Sequence, residues 1–124
     1  MRPERTDPVF LWDMLDAAQS VAGFAAGRTF EEYLRERMFR AAVERCVEII
    51  GEAARHVSRE FQSKHPEIPW HKMIVQRHVL AHEYGEIRHD LIWRVATVHI
   101  PVLIARLRPL VPGPPEEPGE QTAP

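Results

Sequence analysis

The sequence predicts an all-α fold, a bundle of about five helices with a disordered, proline-rich C-terminal tail. Three observations point to helices. Apolar residues recur at three- and four-residue steps through most of the first 108 positions, the spacing of one helical face. No sustained two-residue alternation and no hairpin dipeptide competes with that pattern. Glycines, prolines and capping residues interrupt the stripes at intervals suited to short connections between helices. At 124 residues the chain is long enough for one core and too short for two. The expected division is a helical domain over residues 7–108 and a tail over residues 109–124.

Asp7 followed by Pro8 reads as a helix start, a capping side chain and then a proline suited to the first turn. Phe10, Leu11, Met14, Leu15, Ala18, Val21, Ala22 and Ala25 form its buried stripe, and Gly27 stops it. Thr29 and Glu32 have capping-box spacing and open a short second helix. A long third helix is expected to run to about Ser63, with Met38, Phe39, Ala42, Val43, Cys46, Ile49, Ile50, Ala53, Val57 and Phe61 inward. Glu44, Glu48 and Glu52 recur four residues apart among arginines, either as a solvated face with ion pairs or as a polar wall facing a site or partner. Gly51 costs a helix about 1 kcal/mol against alanine and is tolerated if another helix passes closely there.

Pro66 and Pro69 end that helix, because proline removes a backbone donor and crowds the turn before it. A fourth helix is expected from Trp70 to His82 with Met73, Ile74, Val79 and Leu80 inward, and Gly85 breaks it. The fifth spans about residues 89–108, burying Leu91, Ile92, Val95, Val98, Val102, Leu103 and Leu107, with a kink at Pro101. Beyond it, "PLVPGPPEEPGEQTAP" holds too many prolines and too few apolar residues to fold.

No apolar run approaches the roughly 20 residues that span a bilayer, and "MRPERTDPVF" has no signal-like apolar stretch. A cytoplasmic protein without membrane contact is the expectation. The formal net charge of −2 argues against a non-specific polyanion binder, though not against an RNA enzyme with a small local site. Cys46 is the one cysteine; it has no internal disulfide partner and reads as core packing. Four of the seven histidines, His71, His78, His82 and His89, fall between Trp70 and Asp90, which draws attention to "QRHVLAHEYGEI".

On a regular helix Arg77 and Tyr84 project within about 20° of each other, whereas Arg77 and His82 diverge by about 140°. For Arg77 and His82 to meet on one substrate atom, either the helix distorts near His82 or a second, symmetry-related subunit supplies one of them. Spacing alone leaves both open. Side chains of these types could carry out metal-free RNA cleavage, in which one group takes the 2′-hydroxyl proton, another protonates the departing 5′-oxygen, and a cation holds the phosphate. Histidine moves protons near neutrality and arginine matches phosphate oxygens with a planar fork. His78 and His82 also have the four-residue spacing of metal ligands. However, Val79 stands where the zinc-protease motif places glutamate, and no third ligand is nearby, so no metal or other cofactor is expected. The alternative is that Arg77, His82 and Tyr84 simply cap, pair and pack.

Arg77, His82 and Tyr84 spell R-x-x-x-x-H-x-Y, which resembles the signature of HEPN-domain proteins in their HepT-like toxin branch. "RCVEIIGEAARHV", "HPEIPWHKMI", "HEYGEI" followed by "LIW", and a late Pro-Val-Leu resemble that branch in the same order, over about residues 9–107. The chain departs from the pattern at His78, where the family commonly has asparagine; His78 is a candidate supporting residue. The resemblance implies an all-helical homodimer whose motifs meet at the subunit interface as a metal-independent endoribonuclease acting on RNA, tRNA among the candidates. It implies that Arg77 binds the scissile phosphate and His82 transfers the proton. The branch typically supplies the toxin of a two-gene toxin–antitoxin pair. A minimal nucleotidyltransferase antitoxin neutralises it by attaching AMP to the motif tyrosine, here Tyr84. The competing expectation is a non-catalytic interaction or nucleotide-binding module that holds a nucleotidyltransferase partner.

Overall fold

In the computed structural model, residues 6–82 and 87–112 are described, and every regular element among them is helical. Helix α1 spans Asp7–Ala25, α2 Phe30–Arg35, α3 Arg37–His56, α4 Arg59–Lys64, α5 Trp70–His82, α6 His89–Arg94 and α7 Ile100–Leu107. A π-helical turn, Val95–His99, joins α6 to α7, and a 3₁₀ turn follows at Arg108–Leu110. Helix α3 is central, packed between α1 and α5, while α7 closes over α1. Leu110 and Val111, beyond the last long helix, still pack against the core. Residues 113–124, most of the predicted tail, lie outside the described residues. No helix among the described residues is long and apolar enough to cross a membrane.

Much of α1 follows its stripe: Leu11, Met14, Ala18, Val21 and Ala25 are buried, with Phe10, Leu15 and Ala22 packed against the core. Its start differs from the expectation. Thr6 is the N-cap and makes no side-chain capping bond. The Asp7 carboxylate instead accepts from the Ser58 backbone N–H at 2.8 Å and its hydroxyl at 2.6 Å. Gly27 has φ of 71°, the left-handed conformation that suits glycine after a helix. The Thr29–Glu32 capping box is present in full.

The long third helix is in fact two. Helix α3 ends at His56, Val57 is extended and buried, and Ser58 caps α4 by accepting from the Phe61 N–H at 3.1 Å. The Gln62 amide donates to the Ala54 and Val57 carbonyls at 3.3 and 3.0 Å, supplying partners that a continuing helix would have provided. The α3 face also shifts. Phe39, Val43, Val47 and Ile50 are buried, whereas Met38, expected inside, is 88 % exposed. One residue along a helix turns about 100°, so Phe39 and Met38 cannot share the seam. In the following loop Ile68 is buried, the Trp70 indole donates to the His65 carbonyl at 2.9 Å, and Arg106 of α7 donates to the Glu67 carbonyl at 2.8 Å.

The disturbance expected from Pro101 takes the form of the π turn just before it. The Ile100 N–H reaches back five residues to the Val95 carbonyl, and the Thr97 hydroxyl donates to the Trp93 carbonyl at 2.9 Å. Proline lacks an N–H for the Thr97 carbonyl and would crowd it, so a wide turn there relieves both problems. The inward face of α6 and α7 differs from the expected one. Ile92, Ala96, Ile100, Leu103 and Leu107 are buried, while Leu91, Val98 and Val102, expected inside, are exposed by nearly half. Leu91 and Val95 instead line an apolar groove of about 670 Å³ with Met73, Val75 and Val79 of α5.

A polar cluster fixes the start of α6. The buried Tyr33 hydroxyl donates to Glu44 Oε2 at 2.6 Å, and His89 Nδ1 lies 3.2 Å from the same oxygen. Tyr33 also packs on Phe39, His89 and Trp93. Burial, together with the bond to anionic Glu44, pushes the Tyr33 phenol pKa far up.

Candidate active site

Arg77 and His82 both stand on α5, and the packing of α5 on α3 decides what each can reach. Gly51 of α3 makes that packing possible. A Cβ added there would lie 2.3 Å from Arg77 Cβ and 2.4 Å from the Met73 carbonyl oxygen. Met73 and Arg77, one turn apart, therefore ride directly over the bare Gly51 backbone. The condition set by the sequence, that another helix passes Gly51 closely, is met by the segment that carries the motif arginine.

From that position the Arg77 side chain extends towards Glu52, with Nε 3.0 Å from Oε2. Both atoms are shielded from solvent but are not aligned as a hydrogen bond, so the contact is an ion pair. The other Glu52 oxygen lies 3.1 Å from Arg55 Nη2 and 3.1 Å from His56 Nε2. Burial raises the Glu52 pKa, but the Arg55 and His56 hydrogen bonds and the Arg55 and Arg77 charges outweigh it and hold the carboxyl below its ordinary value. Arg77 and Glu52 open onto a cleft of about 380 Å³ lined also by Phe10, Asp13, Arg45 and Glu48. The glutamate row is thus partly a polar wall: Glu52 meets the motif arginine, Glu44 meets Tyr33 and His89, and Glu48 pairs with Arg45 at 2.7 Å.

His82 is the last described residue of α5 and is exposed. Its ring lies 4.8 Å from that of His78, tilted by 51°, so the structure brings these two imidazoles together. Helix α5 continues without interruption to His82. Five helical steps therefore separate Arg77 from His82 by about 140° of rotation and about 7.5 Å of rise. Within one chain the arginine faces α3 and the acidic cleft, while the histidine stands on another flank. Tyr84 lies outside the described residues.

Glu52 was legible only as a member of the acidic row; nothing in its spacing pairs it with Arg77, 25 positions later on another helix. Cys46 packs against the core, and burial pushes its thiol pKa up, in keeping with a packing role. Among the described residues no group of three His, Cys, Asp or Glu side chains is placed to hold a metal ion.

A family model described as ribonuclease HepT-like matches residues 14–110. A protein of Methanocaldococcus jannaschii named "Putative RNase MJ1380" is 36% identical over 98 residues, covering 79% of this chain and 90% of that protein. "Putative RNase MJ0127" of the same organism is 30% identical over 109 residues, 88% of this chain and 90% of its own length. "Probable ribonuclease HepT" of Thermococcus cleftensis is 32% identical over 107 residues, 86% of this chain and 97% of its own. No solved structure matches the chain.

Proposed function

The chain belongs to the HepT-like ribonuclease family of the HEPN superfamily, and we propose that it is an endoribonuclease toxin that cuts RNA without a metal ion. Arg77 holds the scissile phosphate, and His82 transfers the proton. The enzyme acts as a homodimer in which the two R-x-x-x-x-H-x-Y motifs face one another. The observation that carries this reading is the fixed presentation of Arg77: α5 is seated on Gly51 and the guanidinium is held at Nε by Glu52. Held from that side, the terminal nitrogens offer phosphate a planar fork. The dimer is supported by the regularity of α5 up to His82. Without a bend before the histidine, a second subunit is the remaining way to bring His82 to the phosphate that Arg77 binds.

In the reaction one imidazole removes the 2′-hydroxyl proton, and the 2′-oxygen bonds to phosphorus. The bond from phosphorus to the 5′-oxygen breaks, and a protonated imidazole donates to that leaving oxygen. The products are a 2′,3′-cyclic phosphate and a 5′-hydroxyl. Arg77 opposes the charge that builds on the phosphoryl oxygens. A minimal nucleotidyltransferase antitoxin silences the toxin by transferring AMP from ATP to the Tyr84 hydroxyl with release of pyrophosphate, adding bulk and negative charge to a motif built for RNA phosphate.

The acidic surroundings of Arg77, with Asp13, Glu48 and Glu52 on the same cleft, favour a second reading. Here the domain is a non-catalytic or nucleotide-binding module that holds a nucleotidyltransferase, and Arg77 serves assembly. Incubating the purified protein with total RNA and tRNA and mapping cyclic phosphate ends separates the two. The first reading expects such ends from the wild type and none from Arg77→Ala or His82→Ala. The second expects none from any of them while nucleotidyltransferase binding persists.

A further inference from the structure

We infer that His78 and His82 together form a two-imidazole binding site for a borderline divalent transition ion such as Zn²⁺, Ni²⁺ or Cu²⁺, and that occupation of this site shuts the nuclease off. The inhibitory half rests on the role proposed for His82; the binding half does not.

The separation of the two ring centres is compatible with a chelate. A metal ion about 2.1 Å from a donor nitrogen lies about 3.2 Å from the ring centre. Two such rings have centres about 5.2 Å apart at a tetrahedral angle and about 4.5 Å apart at a right angle. The observed separation is 4.8 Å, between the two. The 51° tilt shows that the rings are not stacked in parallel. Both side chains are exposed, so rotation about χ2 can turn their nitrogen edges towards a common point. The pair sits on one regular helix, which fixes the spacing of the two Cβ atoms in advance of binding.

Chemistry selects the ion. Neutral imidazole suits zinc, nickel and copper, whereas magnesium and calcium require oxygen ligands and are not expected to bind. Among the described residues no third side chain joins the pair, so water completes the coordination and affinity is moderate. This describes a reversible inhibitor site, not a resident cofactor. A nitrogen bonded to metal has no lone pair for the ribose 2′-hydroxyl and no proton for the 5′-oxygen. His78 is the residue that completes the chelate.

The test uses the full chain with no affinity tag, titrated with ZnCl₂ by calorimetry and with substoichiometric CuCl₂ by NMR. The wild type is expected to bind zinc, with the His78 and His82 ring signals broadened by copper before those of the other histidines. His78→Asn is expected to bind zinc at least about tenfold more weakly, since a bidentate site becomes monodentate. His78→Gln is a second variant in case the first does not fold. Cleavage is compared with and without zinc within each protein: zinc inhibits the wild type, and at least about tenfold more zinc is needed for His78→Asn. Equal zinc affinity in wild type and both variants, or copper broadening elsewhere first, overturns the site. Zinc that leaves wild-type cleavage unchanged or raises it overturns the inhibition. A wild type with no nuclease activity refutes the proposed function and leaves the binding result standing.

Discussion

Replacing Gly51 by alanine tests the link between the α3–α5 packing and the motif arginine. The new Cβ would meet Arg77 Cβ at 2.3 Å and the Met73 carbonyl oxygen at 2.4 Å. Ordinary carbon contacts begin near about 3.5 Å. Neither obstacle is the far end of a flexible side chain, so α5 itself must retreat by about 1 Å. Overpacking of this kind costs about 3 kcal/mol at the upper end of its usual range. Alanine recovers about 1 kcal/mol of helix propensity. The balance is about 2 kcal/mol of destabilisation, or about 1 M in the urea midpoint for a domain of this size. Gly23 in α1 is the internal control, because a Cβ there meets nothing within 4 Å. Gly23→Ala should stabilise the fold by about 0.5–1 kcal/mol. Urea unfolding of both variants reads the stability. RNA cleavage reads the position of Arg77, where a displacement of about 1 Å can cost about a hundredfold in rate. A Gly51→Ala protein as stable as Gly23→Ala and fully active would refute the reasoning.

Tyr33→Phe removes the buried donor to Glu44 and should cost about 1–2 kcal/mol in thermal or urea unfolding. In a Tyr84→Phe background, spectrophotometric titration should show no phenolate at the pH where ordinary tyrosines ionise, because Tyr33 is held far above it until the fold opens. Asp7→Ala removes both bonds to Ser58, with an expected loss of about 1 kcal/mol and faster amide exchange at the start of α4. Glu52 has a folded pKa below its ordinary 4.5, so it binds its proton more weakly folded than unfolded. Its stabilisation is complete above about pH 4.5 and is lost as pH falls through the depressed folded value. Melting temperatures from pH 3 to 6 should accordingly fall more steeply on acidification in the wild type than in Glu52→Gln.

What could be read in the sequence was local. The Thr29–Glu32 box, the Gly27 stop and the start of α5 each depend on residues a few positions apart, and these expectations match the fold; the break expected at Gly85 lies outside the described residues. Gly51 was legible as a question and α5 supplies the answer. The break after His56 was not legible, because Ser58 is held by Asp7, 51 positions earlier, and Gln62 folds back on carbonyls that look helical in sequence. The inward face was misjudged at Val98 and Val102 because one π turn changes the phase of the residues within and after it, and at Leu91, before that turn, because its neighbour Ile92 takes the core position. The same limit applies at the site. R-x-x-x-x-H placed Arg77 and His82 on one helix, but the carboxylate that orients Arg77 comes from a different helix, and only tertiary packing could identify it.

The most direct measurement is cleavage of total RNA and tRNA by the purified wild-type protein in EDTA, beside Arg77→Ala and His82→Ala at equal concentration and with dimerisation checked for each. The account predicts 2′,3′-cyclic phosphate ends from the wild type with chelator present, and their loss in both variants while the dimer persists. Cleavage undiminished in His82→Ala, or a wild type whose cleavage stops in EDTA, would contradict it.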